Sequence, residues 1–146
     1  MNETLSLEAR NKAGNYYKEG YNCAEAIFLT FREYLAPEMD PEMVKLVSGF
    51  GGGLGQAGCI CGALSASIVA LNMLGERTSQ AGKRRESYQN SQEFHNRFAE
   101  KFGATCCRVL RKHPYESKER LTNCLKITGN TAKLLMEFLQ EKGLYE

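Results

Sequence analysis

Ser117 to Leu139 reads SKERLTNCLKITGNTAKLLMEFL, and this stretch decides the fold class. Leu121, Cys124, Leu125, Thr128, Ala132, Leu135, Met136 and Leu139 recur at the three-and-four spacing of one helix face,. Ser117 stands where an N-cap belongs, because its hydroxyl can accept from an unpaired N–H of the first turn. Gly129 interrupts the run at a cost of about 1 kcal/mol against alanine, which marks a close packing contact. A helix with one apolar stripe has to bury it against another element.

Working outward, the same period recurs and no alternating strand pattern or internal repeat competes with it. A first helix is predicted from Thr4 to Lys18, with Leu5, Ala9, Ala13 and Tyr16 on one face. Gly20 stops it, and Asn22 with Glu25 forms a capping box for a second helix whose stripe is Cys23, Ile27, Thr30 and Tyr34,. That helix ends before Pro37. Asp40-Pro41-Glu42 reads as cap, first-turn proline and first-turn acid of a short third helix ending near Ser48.

Five glycines follow between Gly51 and Gly58. A fourth helix is expected from Cys59–Cys61 to Gly75, with Cys61, Leu64, Ile68 and Leu71 on one face. The polar stretch from Glu76 to Glu86 reads as a loop or a frayed helix start. A fifth helix carries Tyr88, Ser91, Phe94 or His95, Phe98 and Phe102, and Gly103 caps it. A short sixth spans roughly Thr105 to Lys112 and stops at Pro114. The expected architecture is all-α: a single-domain bundle or array of five to seven helices over residues 1–146, with a Gly-rich loop before a central helix.

At 146 residues the chain is long enough to bury a core without covalent staples,. A net charge of +2 is too weak to indicate a nucleic-acid or membrane partner,. The start MNETLSLEAR has an acid at Glu3 and no apolar core of a signal peptide, and the best apolar run, Ile60 to Leu74, is broken by Gly62, Ser65, Ser67 and Asn72,. A reducing cytoplasm is the expected location. There six cysteines are metal ligands, redox thiols or small buried apolar fillers rather than a disulfide framework,.

Cys23, Cys61, Cys107 and Cys124 lie at helix starts or on apolar stripes. Cys23 and Cys61 fall in first turns, where unpaired N–H groups and the helix dipole favour a thiolate. Their helices could bring all four sulfurs together inside the bundle. The spacings Cys59-Ile60-Cys61 and Cys106-Cys107 match neither the CxxC of thioredoxin-like proteins nor zinc knuckles.

The segment GGGLGQAGCICGA, Gly51 to Ala63, resembles the core of the redox-active protein family named for its C_GCAxxG_C_C cysteine pattern. Asn22-Cys23-Ala24-Glu25 upstream, Cys107-Arg108 with Leu110 downstream, and Cys124 in the last helix extend the resemblance over roughly Ala13 to Ala132. It implies four characteristic cysteines at Cys23, Cys61, Cys107 and Cys124, with Cys59 and Cys106 as extras. Ala66 stands where the family has the last glycine of the stretch. The implied chemistry is thiol redox without a named substrate, with a partner protein or small thiol on the other side.

Within that implication three readings stay open. In a dithiol protein Cys61 is the attacking thiolate and Cys23, Cys107 or Cys124 resolves it. In a cofactor protein the same four cysteines ligate an iron–sulfur cluster or zinc. In a structural or interaction domain they are inert filler. Gly53-Leu54-Gly55-Gln56-Ala57-Gly58 formally matches GxGxxG, but no strand precedes it, so a dinucleotide site is not expected. The backbone of Gly51, Gly52, Gly53, Gly55 and Gly58 is instead expected to pass close to a neighbour or to donate N–H groups to sulfur. Arg108, Arg111 and Lys112 read as a solvated face, with Arg108 able to hold a thiolate at Cys107. His95 and His113 complete no motif. A homodimer is the base-rate expectation.

Overall fold

The computed structural model describes residues 3–75 and 77–145; Met1, Asn2, Glu76 and Glu146, including the ends of the expected domain and the first residue of the expected 76–86 loop, lie outside the described residues. The elements are α1 (Glu3–Lys18), α2 (Cys23–Leu35), two 3₁₀ segments (Pro41–Leu46 and Ser48–Phe50), the single turn α3 (Gly51–Leu54), α4 (Gly62–Met73), α5 (Arg85–Phe102), the single turn α6 (Cys107–Leu110) and α7 (Lys118–Glu141). Among the described residues there is no strand, only an isolated antiparallel bridge between Ile60 and Cys106. The fold is all-α.

α1 and α7 pack antiparallel. A Cβ placed on Gly129 would stand 3.2 Å from Arg10 Cγ, and one on Gly14 3.7 Å from Leu125 Cδ1, so small residues set the approach of the two helices. α1 also pairs with α2, tied by Glu33, which accepts from Lys12 Nζ at 2.8 Å and from the Tyr16 hydroxyl. The Asn22 capping box is formed in full: Asn22 Oδ1 accepts from Glu25 N at 2.8 Å and Glu25 Oε1 from Asn22 N at 2.9 Å. Ser117 Oγ likewise accepts from Arg120 N at the start of α7.

α4 is central. It packs on α2, α5 and α7, so its burial extends well beyond the expected face: Ala63, Leu64, Ala66, Ser67, Ala70 and Leu71 are all buried, while Ile68 is only partly so. Ala66, at the family's glycine position, is fully buried. Phe94 and Phe98 of α5 enter the core, with Phe94 edge-on to Phe138 of α7 at 5.6 Å. Tyr88 on the same expected stripe is exposed, as is Leu121 at the start of α7. Both lie in the first turn of their helices.

Two short helices come out differently from the sequence expectation. The third is 3₁₀ rather than α, with Asp40 Oδ1 capping Glu42 N as expected. Six residues between Pro41 and a second turn give few i→i−4 bonds, and such short pieces tighten to 3₁₀. The sixth is cut to one turn. Thr105 O and Cys107 N are committed to bonds with Cys61 N and Cys59 O. At its other end Lys112 takes φ of 60°, and Pro114 disfavours helix at His113,.

Candidate functional site

The chain segment before α4 builds one wall of the site. Gly52, Gly53, Leu54, Gly55 and Gln56 all have φ between 61° and 70°, a left-handed turn that L-residues resist and glycine adopts freely,. Its bonds, Gly55 N to Gly51 O at 3.0 Å and Cys59 N to Gly53 O at 3.0 Å, close it tightly. A Cβ on Gly53 would fall 2.6 Å from both Cys107 Cβ and Cys59 N. So the glycines let this turn lie against α6. Residues 59–61 then run antiparallel to 105–107 through three backbone bonds: Cys61 N to Thr105 O, Cys107 N to Cys59 O, and Arg108 N to Gly58 O. This pairing holds Cys61 and Cys107 on neighbouring segments.

Cys23 is the first residue of α2 and Cys61 the N-cap of α4. The two helix starts abut, since a Cβ on Gly62 would stand 2.7 Å from Cys23 Sγ and 2.8 Å from Phe50 O. The Cys23 thiol lies within hydrogen-bonding reach of the Cys61 sulfur. That contact lowers the Cys61 pKa; burial opposes it, and the backbone N–H groups of Ala63 and Leu64 support it,. The Cys23 pKa is raised well above the ordinary value, first by the contact with Cys61, then by burial and by the charge on Cys61, against the N–H groups of Gly52 and Ala24. The two sulfurs compete for one proton, which pushes Cys61 down and Cys23 up,.

A cavity of about 240 Å³ opens beside this pair. Cys23, Cys61, Cys107 and Cys124 all line it. Burial raises the thiols of Cys107 and Cys124, and the neighbouring Cys23 sulfur adds to it. Arg111 beside Cys107 and Arg120 beside Cys124 pull the other way, each in hydrogen-bond reach. All six cysteines are free thiols, and Cys59 and Cys106 are exposed and off the cavity. Among the described residues no three His, Cys, Asp or Glu side chains are grouped closely enough to hold a metal ion.

Of the loop glycines only Gly52 lines the cavity, and its N–H is the one directed at sulfur, that of Cys23. Gly51 makes room for Asn22, whose side chain a Cβ there would meet at 2.5 Å, and Gly55 meets nothing within 4 Å. Arg108 does not serve Cys107; its Nη2 donates to Ala57 O at 2.8 Å. Arg111 turns into the cavity instead of facing solvent with Lys112. Tyr17, Tyr115, Arg120 and Thr128 also line the cavity. Thr128 could be read only as a stripe member and the other three carried no motif, because their roles depend on packing between α1, α6 and α7. His95 and His113 are exposed and do not line it.

The all-α chain thus brings four thiols to one cavity, two of them at abutting helix starts. The chain belongs to the family described as "Putative redox-active protein (C_GCAxxG_C_C)", whose model matches residues 21–138. It is also similar to an "Uncharacterized protein" of Archaeoglobus fulgidus, 24% identical over 144 residues that cover 92% of this chain and 95% of that protein. No solved structure matches it. No helix among the described residues is long and apolar enough to cross a membrane.

Proposed function

We propose that the chain is a dithiol/disulfide exchange protein whose reacting pair is Cys61 and Cys23. The observation that carries this is the meeting of the two cysteine-bearing helix starts of α2 and α4, where a Cβ on Gly62 would stand 2.7 Å from Cys23 Sγ and both thiols line one cavity. Cys61 is the nucleophile because its thiolate is stabilised by the Cys23 thiol and by two backbone N–H groups,. Its sulfur attacks one sulfur of a substrate disulfide, forming a mixed disulfide and expelling the other half as a thiolate. The Cys23 proton passes to that leaving thiolate. Cys23 then attacks the Cys61 sulfur and expels the second half, which takes up a proton from solvent. The substrate disulfide becomes two thiols, and the protein dithiol becomes one disulfide. Run backwards, the same steps oxidise a dithiol partner.

Cys107 and Cys124 sit at the same cavity as a reserve of two protonated thiols. Either can resolve a mixed disulfide at Cys61 when Cys23 is blocked. The cofactor reading would require the four sulfurs to close around one metal centre, and the grouping of donors gives it less support than the thiol pair receives,.

The test is a single anaerobic preparation. Iron, zinc and acid-labile sulfide are measured, thiols are counted before and after a mild oxidant, and the product is mapped by peptide mass spectrometry. Reversible loss of two thiols with a Cys23–Cys61 peptide link supports the proposal. Stoichiometric iron and sulfide, or six unchanged thiols, overturns it.

A further inference from the structure

The cavity around the thiols is charged on one side only. Among the described residues, and apart from the thiols, the only ionisable residues lining it besides its tyrosines are Arg111 and Arg120, and no carboxylate lines it. Among the described residues neither guanidinium has a carboxylate partner; the ion pairs there belong to Lys12, Arg97, Lys133 and Lys142. Both are held in place by Tyr115. The Arg120 guanidinium lies 4.0 Å from the Tyr115 ring centroid and that of Arg111 5.7 Å. Arg120 Nε also donates to Tyr115 O at 2.5 Å, and Nη1 to the Tyr17 hydroxyl at 3.3 Å.

Two fixed positive groups without a counter-carboxylate beside a cavity form a recognition edge for an anion. Thr128 also lines the cavity, but its hydroxyl is sealed from it, which leaves the arginines as its charged recognition groups. The cavity is too small for a folded partner's segment, while its volume approaches that of ordinary small-molecule pockets, roughly 300 Å³ and upward,. Tyr21 and Leu121, both exposed, stand at its rim and offer apolar surface to the rest of a small molecule.

We infer that the oxidant this cavity takes is a small disulfide bearing a carboxylate, recognised by Arg111 and Arg120 while its sulfur meets Cys61. The inference rests on the dithiol reading above and names the substrate class for it. The exchange is the one already written: the substrate S–S bond breaks, two anionic thiols leave, and the Cys23–Cys61 bond forms. Neutral disulfides lack the carboxylate and lose the arginine contacts. Cationic ones meet two like charges. The competing role for the arginines is that of internal counter-ions for Cys107 and Cys124, which gives no preference among incoming molecules.

The experiment uses the reduced full chain and three probes: dithiodiglycolate (anionic), hydroxyethyl disulfide (neutral) and cystamine (cationic). Rates of Cys23–Cys61 oxidation are normalised to the rate of each probe with free dithiothreitol, which removes differences in leaving-group chemistry. The expected normalised preference is at least about tenfold for dithiodiglycolate over hydroxyethyl disulfide, equivalent to ~1.4 kcal/mol. Cystamine should be slowest. Added salt should shrink the preference, Arg111→Gln should shrink it further, and Arg111→Lys should keep part of it. Equal normalised rates for the three probes, or a preference untouched by Arg111→Gln, overturns the inference while hydroxyethyl disulfide still reports the dithiol at work. Failure of every probe to link Cys23 to Cys61 overturns the dithiol reading itself, and the inference with it.

Discussion

Gly62→Ala tests how the starts of α2 and α4 meet. The added methyl would lie 2.7 Å from Cys23 Sγ, 2.8 Å from Phe50 O and 3.3 Å from Ala24 Cβ. The first two separations call for a retreat of roughly half an ångström or more before contact becomes ordinary. The sulfur can swing aside, but the Phe50 carbonyl belongs to the backbone that ends the second 3₁₀ segment. Overpacking of this kind costs about 1–3 kcal/mol, and the helix propensity of alanine returns at most about 1 kcal/mol. The expected net loss is about 1–2 kcal/mol, read as a lower urea midpoint at unchanged slope. A second effect is chemical. Moving Cys23 Sγ takes the S–H donor away from Cys61, whose pKa then climbs back toward that of an ordinary thiol. Each unit of that climb lowers the thiolate fraction at neutral pH about tenfold. Peptide-resolved alkylation against pH reports it at Cys61 directly. A variant with the parental urea midpoint and the parental Cys61 alkylation profile would refute both the close approach of the helix starts and the shared proton.

Three further outcomes are expected. Burial raises the Glu33 carboxyl, but the Lys12 ammonium and Tyr16 hydroxyl together hold it below the ordinary value. Its contribution is therefore present above the ordinary carboxylate range and lost as pH falls through the lowered folded value; acid unfolding of Glu33→Gln should be flatter than the parent's, with a neutral-pH loss of at most ~1 kcal/mol because the pair is partly exposed. Gly129→Leu should force α1 away from α7, since even a Cβ would stand 3.2 Å from Arg10 Cγ and 3.4 Å from Arg10 O; thermal unfolding should show a loss of about 2 kcal/mol or more, and parental stability would contradict the packing. Cys59 and Cys106 are exposed and off the cavity, so they should be alkylated first in the native protein, and the double serine variant should still form the Cys23–Cys61 link with stability within about 0.5 kcal/mol.

Helices whose faces differ strongly were legible. The Asn22 and Ser117 caps, the stops at Gly20 and Gly103, and the long α7 all follow from local chemistry, and local chemistry is printed in the sequence. α4 was legible as a helix but not in its orientation, because a segment apolar nearly all round leaves its buried sides to be chosen by its neighbours. The short pieces departed from expectation for a related reason. Propensity over a few residues is weak beside one backbone pairing, such as that of residues 59–61 with 105–107. The four family cysteines could be picked out by position, whereas Arg111, Tyr115 and Arg120 could not, since nothing local separates an arginine turned inward from one in water.

By itself the sequence determined that the chain is helical and where most helices begin and end, because caps, glycine stops and apolar periodicity act over a few residues. The tertiary structure alone decided that those four thiols border one cavity, that the Cys61 thiol is pushed down and the Cys23 thiol up, and that two arginines line the same cavity. Those are through-space properties. Thiol acidity depends on the donors, charges and burial gathered around each sulfur, and residues far apart in the chain supply them only once the helices have packed.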